Sequence, residues 1–289
     1  MYSRSTFLSL LLLFVPLQNP GDSFQRHYEN AETQRRAGNL GAAEAEYLSI
    51  LAEAYYRLAR IYSAQADYPK SVIALETTAA YLPDSEEVLV DLAIAYFHNL
   101  QYQKALAPLS TALARAPGSA SAHHMLGKTY FMLGEFEKST SELETALRLA
   151  PKDYDVAYTL GLAYLRQRKV VPARQLYDRM IEQLGDGPQL RVLIGRAYRE
   201  TSFLPEAIAE FKKAVALDAR FPRVHYYLGL TYLLKDGVDR LGDATAEFRI
   251  ELAAHPEEFF ANYYLGIAST VERKWAAAIG FLQKASQIQ

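Results

Sequence analysis

The sequence predicts an all-α chain built from stacked antiparallel helix pairs, and three observations carry that prediction. Tyr62, Tyr96, Tyr130, Tyr164, Tyr198 and Tyr232 recur every 34 residues without a slip. Apolar and small residues recur around each tyrosine at helical spacing, so one structural unit is copied along the chain. No stretch alternates apolar and polar residues for long enough to argue for a sheet.

The first helix of each unit, helix A, is read from its ruler. Four residues before each tyrosine stands Leu58, Leu92, Leu126, Leu160, Ile194 or Leu228. Three before stands Ala59, Ala93, Gly127, Gly161, Gly195 or Gly229. The i, i+4 step puts the apolar residue and the tyrosine on one face, and the small residue lets a second helix approach closely. Six residues after the tyrosine comes Tyr68, Tyr102, Phe136, Val170 or Leu204, and nine after comes Ser71, Ala105, Ser139, Ala173 or Ala207. These begin the second helix, helix B. Pro83, Pro117, Pro151 and, after a three-residue insertion, Pro256 then close the unit, because proline cannot donate within a helix interior. In residues 86–119 the pattern predicts helix A over 87–98, a turn at 99–101 and helix B to about Arg115. Gly118 and Gly134 fall where a turn or helix end favours a permissive backbone. A single pair this short cannot bury its apolar face, whereas stacked copies can.

These motifs resemble the tetratricopeptide repeat family. The resemblance rests on the Leu-Gly/Ala-x-x-Tyr of helix A and the small residue of helix B. It rests also on the apolar position that follows (Leu75, Leu109, Leu143, Tyr177, Phe211, Phe248), on Ala112, Ala146 and Ala214, and on the closing proline. Seven copies are recognisable: 52–85, 86–119, 120–153, 154–187, 188–221, 222–258 and 259–289. An eighth, degenerate copy at 24–51 fits through Ala31, Leu40, Ala43 and Tyr47, and its second helix is expected to fuse with the next around residues 50–56. The likeness covers the chain after residue 23 and implies a right-handed superhelical solenoid whose helix A faces line a concave groove. Although 289 residues could hold two domains, the repeats make one solenoid over 24–289 the expectation. There are departures. The 222–258 copy carries extra residues at 235–241, where Asp236-Gly237 suggests a lengthened loop. Ser269 replaces the tyrosine in the last copy, Trp275 takes the aromatic turn position, and Gly185 and Ala219 stand where proline is expected.

A formal net charge of −2 argues against a general nucleic-acid binder, which would carry a basic domain. Charge is nonetheless uneven. Arg166, Arg168, Lys169, Arg174, Arg179, Arg191, Arg196 and Arg199 crowd one stretch against only Asp178, Glu182 and Asp186, while Asp84, Glu86, Glu87 and Asp91 form an earlier acidic one.

Residues 1–23 differ in kind. Arg4 precedes an apolar run over 7–17, too short to span a bilayer, and Asn19-Pro20-Gly21-Asp22-Ser23 reads as a polar break with cleavage before Phe24. This predicts a signal peptide and an exported protein, periplasmic or secreted in a bacterial envelope setting, with an uncleaved membrane anchor as the alternative. With no cysteine, disulfides and lipoprotein modification are excluded.

Catalytic signatures are absent: no phosphate loop, GxSxG, HExxH, zinc spacing or cysteine nucleophile. His123 and His124 are adjacent and so point about 100° apart, which is no chelating pair even with His98 nearby. Asp236, Asp239 and Asp243 lack calcium-loop spacing. No cofactor or metal is expected, and the chain is expected to bind rather than catalyse.

The resemblance places helix A residues in the groove, and register names them: Tyr56, Arg60, Val90, Ile94, Phe97, His98, His124, Lys128, Phe131, Tyr158, Leu162, Arg166, Val192, Arg196, Arg199, Tyr226, Leu230 and Tyr263. Aromatic anchors beside guanidinium groups suit recognition of a peptide or protein, here an extended or acidic one. The family's chaperone-tail clamp needs Lys and Asn at set groove positions; Tyr56/Arg60, Val90/Ile94 and His124/Lys128 stand there instead, so that clamp is not expected. The periodic tyrosines themselves are expected to be packing residues. A second expectation comes from the last copy, where Phe281, Leu282, Ala285 and Ile288 lack a following repeat. They predict self-association, a capping partner, or a longer natural chain.

Overall fold

A computed structural model describes residues 20–288, with side chains from Ser23 onward. Among the described residues every regular element is helical. The apolar segment expected to be a signal peptide lies outside the described residues. Residues 20–23, expected to break the chain, instead form the first turn of a helix, with Pro20 at its start, where a missing N–H costs nothing.

The helices pack as two units, one through Pro117 and one from Gly118 onward. The first unit holds α1 (Pro20–Arg36), α2 (Leu40–Ala64), α3 (Tyr68–Tyr81), α4 (Glu86–His98) and α5 (Tyr102–Arg115). The second holds α6 (Ala120–Met132), α7 (Phe136–Leu149), α8 (Tyr154–Arg166), α9 (Val170–Leu184), α10 (Pro188–Glu200), α11 (Leu204–Leu217), α12 (Val224–Asp236), α13 (Leu241–Ala254), α14 (Phe259–Val271) and α15 (Trp275–Ile288). Within each unit, consecutive helices pack against one another except α9 and α10, while α10 also packs on α8 and α12. The fusion expected around residues 50–56 is present: α2 runs for 25 residues with no proline to stop it. An unbroken helix cannot fold back on itself, so Leu58 stays 41% exposed where its counterpart Leu92 is 6% exposed.

The turn inside each pair is set by one position, four residues after the ruler tyrosine. Ala66, Leu100, Gly134, Arg168 and Ser202 all adopt positive φ there, between 57° and 79°, and Arg273 does so in the last copy. Glycine occupies this site only once, and each other residue pays about 1 kcal/mol for the left-handed backbone. What holds them is a recurring helix-end bond. The tyrosine carbonyls of Tyr62, Tyr96, Tyr130, Tyr164 and Tyr198 accept from the N–H of Asp67, Gln101, Glu135, Lys169 and Phe203 at 2.8–2.9 Å. Gly118, by contrast, needs no such backbone. In the 222–258 copy the expected loop is a 3-10 turn over Gly237–Arg240, and the left-handed residue moves to Gly237. Four helix A starts are capped by side-chain oxygens, of Ser85, Ser119, Asp153 and Glu258, whereas α10 and α12 begin after Gly187 and Arg223 without one.

Packing within a pair depends on the small residue of helix A. A Cβ on Gly161 would lie 2.4 Å from Tyr177 Cε1, and one on Gly195 would lie 2.6 Å from Phe211 Cε1. The facing residues Leu109, Leu143, Tyr177, Phe211 and Phe248 are at most 1% exposed, each burial being worth about 1.5–3 kcal/mol. Of the six ruler tyrosines, Tyr96, Tyr198 and Tyr232 are buried, as the packing role expects, and Tyr62, Tyr130 and Tyr164 are half-buried. The hydroxyls of Tyr96 and Tyr164 reach Glu76 and Glu144 on the preceding helix B at 2.5 and 2.7 Å.

At Gly229 an added Cβ would meet both Phe248 Cε1 at 2.8 Å and the Ala244 carbonyl oxygen at 2.9 Å, and backbone cannot step aside. Gly229→Ala is expected to lose about 1–2 kcal/mol, overpacking outweighing the roughly 1 kcal/mol of helix propensity that alanine returns. A urea midpoint at or above that of the wild type would contradict this packing.

Candidate partner-binding face

Helix A places its exposed side chains at fixed offsets from the ruler tyrosine, and neighbouring copies bring different offsets together. Residues six and two before the tyrosine meet residues nine and five before the tyrosine of the next copy. In the first unit, the Tyr56 hydroxyl donates to Glu87 at 2.9 Å and Asp91 at 2.7 Å. Burial, and then the Asp91 carboxylate, push the Tyr56 hydroxyl far above its ordinary range, and burial raises Asp91 as well. Arg60 is exposed and Ile94 half-buried beside them. Phe97 packs edge-on to Tyr102, His98 stacks on Tyr68, and Val90 is buried. This face is therefore acidic and internally satisfied.

In the second unit the same offsets carry cations. His124 and Lys128 on α6 approach Asp155 on α8 at 3.4 and 3.2 Å. His124 Nε2 is too poorly aligned for a hydrogen bond, and burial lowers its pKa. His123 turns away to Glu142 at 2.6 Å, so the two histidines serve different partners. Phe131, Tyr158, Leu162 and Leu230 are half-buried against the core. Burial pushes the Tyr158 hydroxyl up to about 12. Arg166 is exposed.

The densest cluster joins α10, α12 and α14. The guanidinium groups of Arg196 and Arg199 lie 5.7 and 5.1 Å from the centre of the Tyr227 ring. Arg196 Nε and Arg199 Nη1 are buried without a hydrogen-bond partner, and the one carboxylate near Arg196, Glu200, is 3.8 Å away. Tyr226 is only 7% exposed and stacks on Phe260 at 5.3 Å, so it supports this surface instead of presenting itself. Burial pushes its hydroxyl up to about 12. Val192 is likewise buried, whereas Tyr263 is exposed and packs on Phe259. Tyr227, Phe260 and the acids Asp91 and Asp155 were not among the residues expected from sequence. Register alone could have found them, once the offset between neighbouring copies was added to it.

The start of α12, which positions Tyr226 and Tyr227, is anchored by charge. Arg223 stands before it in a left-handed conformation, φ 67°. The Glu251 carboxylate, 1% exposed, accepts from the N–H of Arg223 at 2.8 Å and His225 at 3.2 Å. His225 Nδ1 pairs with Glu247 at 2.5 Å, and that hydrogen bond raises the His225 pKa above 6.5 against the opposing effect of burial. A histidine raised on folding contributes stability that is full below its unfolded pKa and fades as pH rises through the folded one. The stability advantage of the wild type over His225→Gln should therefore shrink from pH 6 to pH 8, as read by urea denaturation at each pH; an advantage that grows would contradict the pairing.

A family model described as tetratricopeptide repeat matches residues 56–120 and 124–188, and one described as TPR repeat matches residues 195–236. A solved tetratricopeptide repeat protein from Parabacteroides merdae ATCC 43184 is 16% identical, with a TM-score of 0.61 over 82% of this chain and 93% of that one. The C-terminal part of a TPR repeat-containing protein from Cytophaga hutchinsonii is also 16% identical, with a TM-score of 0.54 over 81% of this chain and 95% of that one. At such identity the likeness is one of fold alone. No curated protein matches the chain.

Proposed function

Because this chain belongs to the tetratricopeptide repeat family, we propose that it is a non-catalytic scaffold that holds an acidic, extended segment of a partner protein on the α8–α10–α12 face. The observation that carries this reading is the pair Arg196 and Arg199, held against Tyr227 with buried N–H groups left unpaired. A buried donor without an acceptor costs about 1–3 kcal/mol, so a carboxylate arriving there recovers what folding left unmet. Tyr158 and Leu162 offer apolar contact beside it, and Arg166 adds charge at the end of α8. The apolar run at 7–17 supports export, with the partner met in a bacterial envelope or outside the cell.

The test is fluorescence polarisation with a labelled peptide alternating Glu and Phe, beside its Gln-for-Glu counterpart. The acidic peptide should bind, and Arg196→Glu with Arg199→Glu should weaken it by roughly tenfold or more. Equal binding of both peptides, or of wild type and variant, sinks this placement.

A second reading, self-association, is favoured by a separate observation. Ile267 and Val271 on α14, and Trp275 and Ile279 on α15, are 41–60% exposed, each pair one helical turn apart. Light scattering over a concentration series should show mass rising with concentration, and Trp275→Arg with Ile279→Arg should hold the chain monomeric. A constant monomer mass for the wild type removes this reading and leaves the first standing.

A further inference from the structure

The helix-A face is not the only candidate binding surface in the second unit. On the other side of α8, turned roughly half a revolution from Tyr158 and Leu162 at 100° per residue, lies a groove walled by α7 and α9. It encloses about 560 Å3, within the range of small-molecule sites. Its lining is apolar at Leu147, Ala157, Leu160, Leu176 and Met180, with Tyr154 at one end. At the rim stand two cations, Arg148 and Arg179, against one acid, Glu144, whose Oε1 already accepts the Tyr164 hydroxyl at 2.7 Å. Arg148 donates to Thr145 Oγ1 at 3.0 Å, which leaves most of its fork unused, and among the described residues neither arginine has a carboxylate partner.

The equivalent strip one repeat later is smaller and more acidic. Between α9 and α11 the cavity is about 340 Å3 and its lining balances Arg174 and Lys213 against Asp178, Glu206 and Glu210. Arg174 lines it together with Tyr198. Thirty-four residues before Arg174 stands Thr140, whose hydroxyl donates to the Glu137 carbonyl at 2.9 Å within its own helix. A short side chain thus stands where the later copy has a long cation, and the earlier groove carries two arginines against one acid where the later strip carries two cations against three acids.

We propose that this cavity binds a small amphipathic carboxylate, its apolar body on Leu160, Leu176 and Met180 and its carboxylate between Arg148 and Arg179. A carboxylate offers both guanidinium groups the acceptors that the fold does not supply, and an alkyl or aryl body finds apolar contact along the groove beside half-buried Leu147 and Tyr154. The proposal is independent of peptide binding on the opposite face of α8.

Met180 gives the readout. The chain has four methionines, Met1, Met125, Met132 and Met180, so its methyl signal is assignable by one substitution in a methionine-methyl-labelled sample. Octanoate should shift the Met180 methyl saturably with a dissociation constant of about 1 mM, and octylamine, of the same length and opposite charge, should bind roughly tenfold more weakly or not at all. Arg148→Gln with Arg179→Gln should abolish that preference while leaving the circular dichroism spectrum unchanged. Absence of a saturable octanoate shift, equal binding of the two probes, shifts confined to Met125 and Met132, or a preference that survives in the double variant would each overturn the proposal.

Discussion

The contact on which this structure depends is the approach of helix B to a residue of helix A that has little or no side chain. Gly161 against Tyr177, Gly195 against Phe211 and Gly229 against Phe248 leave no room for a methyl group. That closeness lets a short helix pair bury a large side chain completely, and without it neither helix has enough apolar surface to outweigh the entropy of ordering it. The constraint propagates. A fixed inter-helix distance requires a turn of fixed length, which the left-handed residue four after each ruler tyrosine provides. Five non-glycine residues tolerate that strain because the ruler-position carbonyl, a tyrosine in four copies and Ser269 in the last, is satisfied by it.

Once the backbone is repeated, chemistry is left to the positions that packing does not use. The register that brings Tyr56 to Glu87 and Asp91 in one unit brings Arg196 to Tyr227 in the other, where Arg199, one residue past its ruler tyrosine, joins it. In the first case the groups satisfy one another and little is left for a partner. In the second, cations meet aromatic rings, which hold a guanidinium in place without consuming its donors. On the opposite side of α8 the two equivalent strips differ in the same way, one carrying more cations than acids and the next more acids than cations.

The helix pairs, their starts and the packing role of the ruler tyrosines were legible because they follow from side chains at fixed spacing. The fused α2 was legible too, since the degenerate copy runs into the next about six residues early and nothing between Leu40 and Ala64 stops a helix. Other features were not. Leu58 stands at the same register position as its five apolar counterparts, yet it is exposed, because burial depends on which helix precedes it in space. Tyr226 matched the binding register and is buried in a stack whose other members, Tyr227, Phe260 and Tyr264, come partly from the next copy.

By itself, the sequence determined the repeat: its period, its helix boundaries, its small-against-large contacts and the faces that packing leaves free. Those are local properties, set by spacing along one helix and by the residue types a close approach permits. Only the tertiary structure decided which free residues meet across copies, which cations stay unpaired and which strip between helices opens into a cavity. Each of these turns on distances between side chains of neighbouring copies, where the period is shared but the residues are not, and a pattern read along the chain does not contain them.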